Sequence, residues 1–173
     1  MFLRIVASLI TIASAVAFAN TANAVTFEVI HHFQGGNDGL YPIDQTLSAG
    51  ADGGIYGIAN LFVKAGQTYS RVIWRVKGDA YEEVERFLYG DFERGFRPAV
   101  KIVIDAAGRV YGVTTQGGPQ SNGMTFVHEP GKPRRYFQHY IQSPENGLVR
   151  DESTGIFYGG GLRVIYQIDP EFT

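Results

Sequence analysis

The sequence of 173 residues contains no cysteine, one tryptophan and two methionines. The lack of cysteine excludes a disulfide framework, a thiolate metal site and a lipid-modified N-terminal cysteine. Basic residues number 15 against 17 acidic ones, and this mild acidity argues against a nucleic-acid partner, because phosphate binding needs a basic face. Its longest apolar run, residues 5–18, is shorter than the about 20 residues of a membrane-spanning helix. We therefore expect no nucleic-acid partner and no membrane span in the mature chain.

The N-terminus has the three parts of a secretory signal peptide. One positive charge, Arg4, precedes the apolar run, and the small-residue pattern Ala22-Asn23-Ala24 ends the segment. This order predicts cleavage after Ala24, a signal peptide over residues 1–24 and a secreted or periplasmic protein. The alternative is an N-terminal membrane anchor of the same polarity. The mature chain, residues 25–173, is predicted to form a single domain.

The mature chain repeats one segment three times. Each copy begins near a proline and ends in Tyr-Gly, with proline-to-tyrosine spacings of 14, 13 and 14 residues. An acidic residue and a glycine precede each tyrosine, which is typical of a tight turn between two strands. The prolines and Tyr-Gly pairs are Pro42 with Tyr56-Gly57, Pro98 with Tyr111-Gly112, and Pro144 with Tyr158-Gly159.

The spacing of apolar stretches and turns predicts an all-β fold. Four antiparallel strands in each repeat of roughly 45–55 residues are typical of a β-propeller blade. The repeats cover approximately residues 34–90, 91–141 and 142–173, and the third lacks its fourth strand. An unmatched strand at residues 26–33 precedes the first repeat, so we expect this strand to complete the last blade. The chain then holds about three blades' worth of sheet.

Three blades are too few for an ordinary closed propeller of four to eight blades. A homodimer can build a six-bladed ring if each N-terminal strand completes the last blade of its partner. Alternatively, the sheets stay open or curl into a small barrel-like stack with protected edges. Self-association is favoured, because exposed blade edges and flat apolar faces promote aggregation of a monomer. The abrupt C-terminus also permits a fragment of a longer propeller protein.

Two stretches carry a resemblance to a known family. Residues 33–42 follow F-x-G-G-x-D-G-x-x-P, and residues 111–126 follow Y-G-x-T-x-x-G-G-x-x-x-x-G-x-x-F. These patterns are similar to GloVer repeats, which implies an exported bacterial protein with propeller-like sheets and no defined activity. The third copy departs from the pattern, because Gly160-Gly161 replaces the threonine-rich loop. The Asp-Gly-x-Ile-Tyr hairpin and the aromatic strand at residues 72–76 also resemble tachylectin-type propeller lectins, which implies sugar binding.

Motifs of catalysis and metal binding are missing from the sequence. His31 and His32 are adjacent on a predicted strand and point to opposite faces, so they cannot hold one ion together. There is no H-E-x-x-H motif and no G-x-S-x-G elbow, and most carboxylates fall in turns or on an alternating strand. A Ca²⁺ site through Asp38 and Asp52 is the alternative to ordinary turn chemistry at those residues. We expect no enzyme activity, no metal and no cofactor.

Aromatic residues in loops are the strongest indication of a binding site. Together with polar neighbours they predict a shallow surface on which a sugar ring stacks. We therefore expect an exported, non-catalytic β-repeat binding module, with a glycan or a cell-surface protein as ligand. The alternatives are a structural or assembly module without a small ligand, a fragment of a larger propeller, and a secreted carbohydrate-active enzyme. The candidate ligand-binding residues are Asn37, Asp38, Tyr41, Tyr69, Phe92, Phe96, Gln116 and Asn122.

Overall fold

The computed structural model describes residues 26–43, 47–61, 70–169 and 171. These residues form an all-β fold of antiparallel sheets, as predicted, and their only helical element is a single 3₁₀ turn at Gly36–Asp38. Within the described residues, no helix has the length and hydrophobicity to cross a membrane. The predicted signal peptide, residues 1–24, lies outside the described residues.

Three sheets follow one another along the chain. The first contains β1 (Tyr41–Pro42), β2 (Ser48–Ala49), β3 (Ile55–Asn60), β4 (Arg71–Lys77) and β5 (Ala80–Phe87). The second contains β6 (Phe96–Pro98), β7 (Val103–Ile104), β8 (Val110–Gln116), β9 (Met124–His128) and β10 (Arg135–Gln138). The third contains β11 (Leu148–Arg150), β12 (Phe157–Gly161) and β13 (Val164–Ile168).

Each sheet has the same antiparallel order around its Tyr-Gly strand. The short strands before the turn pair with one edge of that strand, and the next strand pairs with its other edge. The first and second sheets add an outer strand, β5 or β10, whereas the third ends at β13 among the described residues. Short hairpin turns lie at one end of the sheets, the turn end. Longer loops, including residues 88–95, 117–123 and 139–147, lie at the other end, the loop end.

The glycine of each Tyr-Gly pair lies under an aromatic ring from the neighbouring strand. Gly57 pairs with Trp74, and a Cβ added to the glycine would lie 2.2 Å from Trp74 Cζ2. Gly112 with Phe126 and Gly159 with Tyr166 repeat this arrangement. A side chain in place of the glycine would displace the ring, so the repeated glycine is a packing requirement of the sheet.

The tyrosines of the first two pairs point toward the sheet that follows their own. Tyr56 is buried in the cluster between the first and second sheets, which also contains Ile73, Phe87 and Phe126. Tyr111 is buried between the second and third sheets against Phe157, with ring centroids 4.7 Å apart. The sheets therefore stack face to face, and the inter-sheet core uses the same repeat position twice.

The acidic residue before each Tyr-Gly strand shapes a turn, as predicted. Asp52 accepts a hydrogen bond from the backbone N–H of Gly54, and Asp151 accepts one from Ser153. Asp105 accepts backbone hydrogen bonds from Ala107 and Arg109. These contacts satisfy backbone donors inside the turn and fix the register of the strands on either side.

The predicted strand at residues 26–33 does not form in the single chain, because none of these residues is paired with a neighbouring strand. The end of this segment instead packs on the outer face of the first sheet. Phe33 contacts Trp74 and Tyr81 edge to face, at 5.6 and 6.0 Å between ring centroids. His31 stacks on Tyr81 at 4.3 Å. Side-chain packing therefore holds the segment, and backbone pairing with the third sheet is not observed.

Candidate functional site

Three aromatic rings form a cluster at the loop end of the first and second sheets. Phe96 is buried, and it packs edge to face on Tyr89 at 5.3 Å and on Phe92 at 5.4 Å between centroids. Tyr89 and Phe92 are 41% and 59% exposed. The buried ring thus holds two exposed rings in fixed orientations, which is the geometry of a stacking surface.

The loop of residues 88–95 positions this cluster through backbone hydrogen bonds. The N–H of Tyr89 donates to Ser70 Oγ at 2.9 Å, and the N–H of Gly95 donates to the Asp91 carbonyl at 3.0 Å. Gly95 has φ of 82°, and a Cβ there would lie 2.3 Å from Thr114 Oγ1. Only glycine satisfies both conditions, and it brings the chain into β6 at Phe96.

A groove of about 640 Å³ adjoins the cluster. It runs between the outer strands of the first two sheets and combines aromatic, cationic and acidic side chains. In its wall, the Asp91 carboxylate pairs with the Arg94 guanidinium at 3.2 Å. The side chains that line the groove include Leu88, Tyr89, Asp91, Arg94, Arg134 and Tyr136.

Arg134 is the fixed cation of this groove. Its guanidinium lies 3.9 Å from the ring centroid of Phe87 and 4.7 Å from that of Tyr136. It also pairs with Glu85 at 3.0 Å, and Glu85 accepts a second contact from His128 Nδ1 at 2.9 Å. Burial opposes ionisation of Glu85, but the His128 hydrogen bond and the Arg134 charge outweigh burial and lower its pKa. This network joins the first sheet to the second.

The structure brings together part of the predicted site. Phe92 and Phe96 belong to one cluster, and Gln116 is the backbone partner of Phe96 at the end of β8. Asn122 lies half-buried in the 117–123 loop, which packs on this region through Gly117 and Gly95. These four predicted residues therefore share the loop end of the second sheet.

The remaining predicted residues lie elsewhere. Tyr41 is 64% exposed and pairs with Asn60 on the first sheet. Asp38 accepts the Gln34 backbone N–H at 2.9 Å, and its carbonyl accepts the Tyr81 hydroxyl at 2.7 Å. Both residues belong to the first sheet and its N-terminal loop. Tyr69 and the side chain of Asn37 lie outside the described part of the chain.

The alternative of a Ca²⁺ site through Asp38 and Asp52 finds no support in the geometry. Asp52 is engaged by the Gly54 N–H and by the Arg75 guanidinium, and these contacts lower its pKa. Asp38 serves its own loop. Among the described residues, no group of three or more His, Asp or Glu side chains is arranged to hold a metal ion.

None of the groove residues named above is among the candidate ligand-binding residues that the sequence indicated, and Tyr89, Arg134 and Tyr136 show why. Tyr89 follows the last residues of β5, and the pair Tyr89 and Phe92 on either side of Gly90 is a local signal of an exposed turn. Arg134 and Tyr136 fall in the segment 134–141, which the sequence predicts as an alternating strand, and the cluster Lys132, Arg134 and Arg135 is typical of a basic edge that protects a sheet. The role of Arg134 in the groove depends on packing against Phe87 in a different repeat, which no local pattern encodes.

No protein-family profile, curated protein or solved structure matches this chain. Likeness to a known protein therefore supplies no substrate and no partner. The resemblance to GloVer repeats and to propeller lectins stays a prediction.

Proposed function

We propose that this chain is an exported β-repeat module that assembles with further copies of itself, each copy completing the third sheet of another. The observation that carries the proposal is the exposure of Tyr158. Its counterparts Tyr56 and Tyr111 are 5% and 4% exposed because a following sheet covers them, whereas Tyr158 is 37% exposed. The third sheet thus presents the face that the first two sheets bury.

The rest of this face is apolar and exposed as well. Val149 pairs with Tyr158 across β11 and β12, and Val149 is 51% exposed. Ile165 on β13 is 88% exposed. Unpaired strand edges and uncovered apolar faces are the surfaces through which sheets add to one another. Among the described residues, β13 also has no strand on its outer side.

The N-terminal segment supports a second copy as the occupant. Phe33 packs on Trp74. In the same way, Phe87 at the end of β5 packs on Phe126 of the second sheet. Because Trp74 and Phe126 occupy equivalent positions opposite the repeat glycines, Phe33 lies where the end of an outer strand of a preceding sheet would lie. Phe27, at 90% exposure, precedes this anchor on a segment without strand partners. Pairing of residues 26–33 with β13 of another copy would cover both exposed sets.

This contact joins two different surfaces, so it is heterologous and leads to a closed ring or an open filament. In the ring, each sheet acts as a propeller-like blade and two copies supply six blades. We propose a binding and assembly role rather than a catalytic one. The engagement of Asp52, Glu85 and Asp105 in turns and ion pairs supports that choice.

The test is the solution mass of the mature chain, residues 25–173, by sedimentation equilibrium. We expect a concentration-dependent oligomer that Ile165→Lys and Val29→Lys each dissociate. Both side chains are exposed in the single chain, so neither variant should unfold it. Leu47→Lys, at another exposed aliphatic position, is the control and should assemble normally. A monomeric wild-type chain at every concentration would contradict the proposal.

A second function, binding of a glycan at the loop end, is favoured by the Tyr89, Phe92 and Phe96 cluster. Exposed rings held on a buried ring lose little conformational entropy on binding, and they present apolar faces to a sugar. The adjoining groove supplies charged hydrogen-bond partners in Asp91 and Arg94. This surface belongs to a single chain, so the second function does not require assembly.

A further inference from the structure

A separate cleft of about 300 Å³ lies at the loop end, where the first two sheets meet the loop that leads into the third. Its volume is at the lower limit of small-molecule sites, which suits one monosaccharide unit. Two arginines from different sheets line it, and the Glu145 carboxylate accompanies them in the described part of the lining. The lining of the cleft includes Arg71, Arg97, Ala99, Thr115, Glu145 and Asn146.

Arg71 is a partly buried cation with incomplete hydrogen bonding. Its Nη1 donates to the Pro98 carbonyl at 2.5 Å, which ties β4 to β6. Its Nε is buried and has no hydrogen-bond partner within the described ranges. Burial, and secondarily the charge of Arg97, lowers the pKa of Arg71 to about 10. The Arg97 charge thus disfavours the Arg71 charge, and an anion between the two guanidinium groups would oppose that repulsion.

Arg97 lies in a backbone conformation that favours glycine. Its φ is 59°, and its carbonyl accepts the Thr115 hydroxyl at 3.1 Å. Phe96 and Pro98 on either side keep their pairing with β8, so the left-handed residue is a local irregularity of the strand edge. Glycine would adopt this conformation without strain, yet the chain has an arginine here. Strain of this kind is characteristic of sites that position a functional group.

We propose that the cleft between Arg71 and Arg97 binds the carboxylate of an acidic monosaccharide unit, such as a uronic acid. Guanidinium groups match the planar geometry of a carboxylate and bind it through paired hydrogen bonds. The Asn146 amide and the Glu145 carboxylate, which line the same cleft, supply a donor and acceptors for ring hydroxyls. The inference goes beyond assembly and does not depend on it, because every lining residue belongs to one chain.

The test is calorimetric titration of the mature protein with glucuronic acid, glucuronamide and glucose. We expect saturable binding of glucuronic acid that weakens with added salt, and no binding of the two neutral sugars. Arg97→Gly should weaken binding roughly ten-fold or more, by loss of charge-assisted hydrogen bonds, without lowering the thermal stability. Arg97→Asn repeats the test with a second residue that tolerates positive φ. Arg135→Gln, an equal change of charge at an exposed position on β10, is the matched control and should bind normally.

Equal binding of glucuronamide, or unchanged binding by both Arg97 variants, would overturn the proposal. Inorganic sulfate or an acidic peptide that binds more tightly than glucuronic acid would overturn the assignment to a sugar. Sedimentation of the same Arg97 variants separates this proposal from assembly. Loss of binding with normal assembly supports the cleft, whereas loss of both would count against it as an independent site.

Discussion

Substitution of Gly112 by alanine tests the packing rule of the repeat most directly. The new Cβ would lie 2.5 Å from Phe126 Cζ, 2.8 Å from its Cε1 and 3.3 Å from Ile102 Cγ2. Carbon atoms pack best at about 3.5–4.0 Å, so the Phe126 ring must move by about 1 Å. That ring is fully buried and packs on Phe87 at 4.9 Å. Overpacking of this kind costs about 1–3 kcal/mol, offset by about 0.5–1 kcal/mol from removing a strand glycine.

We therefore expect Gly112→Ala to lower the free energy of unfolding by about 1–2 kcal/mol, measured by urea denaturation with Trp74 fluorescence at unchanged m value. Gly160→Ala is the control, because its nearest neighbour is the amide end of the exposed Asn146 side chain, and we expect a change within about 0.5 kcal/mol. In the Gly112→Ala variant, Phe126→Leu should lower the free energy of unfolding by less than it does in the wild type. The difference between the two effects, which is the interaction energy of the double-mutant cycle, should be about 1 kcal/mol. Equal stability of the two alanine variants, or additive double-mutant values, would refute the packing rule.

Two further substitutions test the inter-sheet network and the aromatic cluster. Glu85→Gln should cost about 1–3 kcal/mol near neutral pH, because it leaves the Arg134 guanidinium, whose side chain is 7% exposed, without its counter-charge. Because folding lowers the pKa of Glu85, its contribution to the free energy of unfolding is complete above pH 4.5 and is lost as the pH falls through the folded-state pKa. The urea denaturation curves of the wild type and of Glu85→Gln should therefore converge in acid. Phe92→Ala should abolish glycan-array binding while Tyr41→Ala retains it; equal retention by both variants would exclude the cluster as the glycan site.

Local features of the fold were predictable from the sequence. The sequence predicts a strand at Val164–Ile168 with the observed bounds, and the Asp-x-x-Gly turn at Asp105 joins two strands as expected. These elements depend on neighbouring residues alone, since side-chain caps and positive φ at glycine set the hairpins. The segment from Tyr81 to Leu88 has a weak helical periodicity, but its alternation fits an exposed strand at least as well, and the structure forms strand β5 at Ala80–Phe87.

The first strand of each repeat was harder to predict. The apolar run Ala99 to Ile104 indicates one strand, but in the structure only Val103–Ile104 form a strand, β7, and β6 ends before the run at Pro98. Between these strands, the Ile102 carbonyl accepts the Ser48 hydroxyl at 2.7 Å, and the Lys101 carbonyl accepts the Leu148 N–H at 3.4 Å. These backbone groups serve neighbouring sheets, so the break depends on tertiary packing.

The candidate site divides in the same way. Phe92 and Phe96 lie close in sequence, and both are predicted as aromatic residues in loops. Arg71 and Arg97 come close together only because two sheets stack on each other. The contact between the Phe87 ring and the Arg134 guanidinium depends on the same stacking. Likewise, the exposure of Tyr158 has meaning only beside its two buried counterparts.

The inter-sheet contact has a consequence for how such chains change length. Tyr56 and Tyr111 each pack onto the sheet that follows their own, and the aromatic rings opposite the repeat glycines cover the glycines of their own sheets. A further repeat could therefore add to the stack through the same kind of contact, as in other proteins whose units touch only their neighbours. The packing specifies the order and orientation of sheets but imposes no fixed number of them. Gene duplication can extend this fold one sheet at a time without designing a new interface.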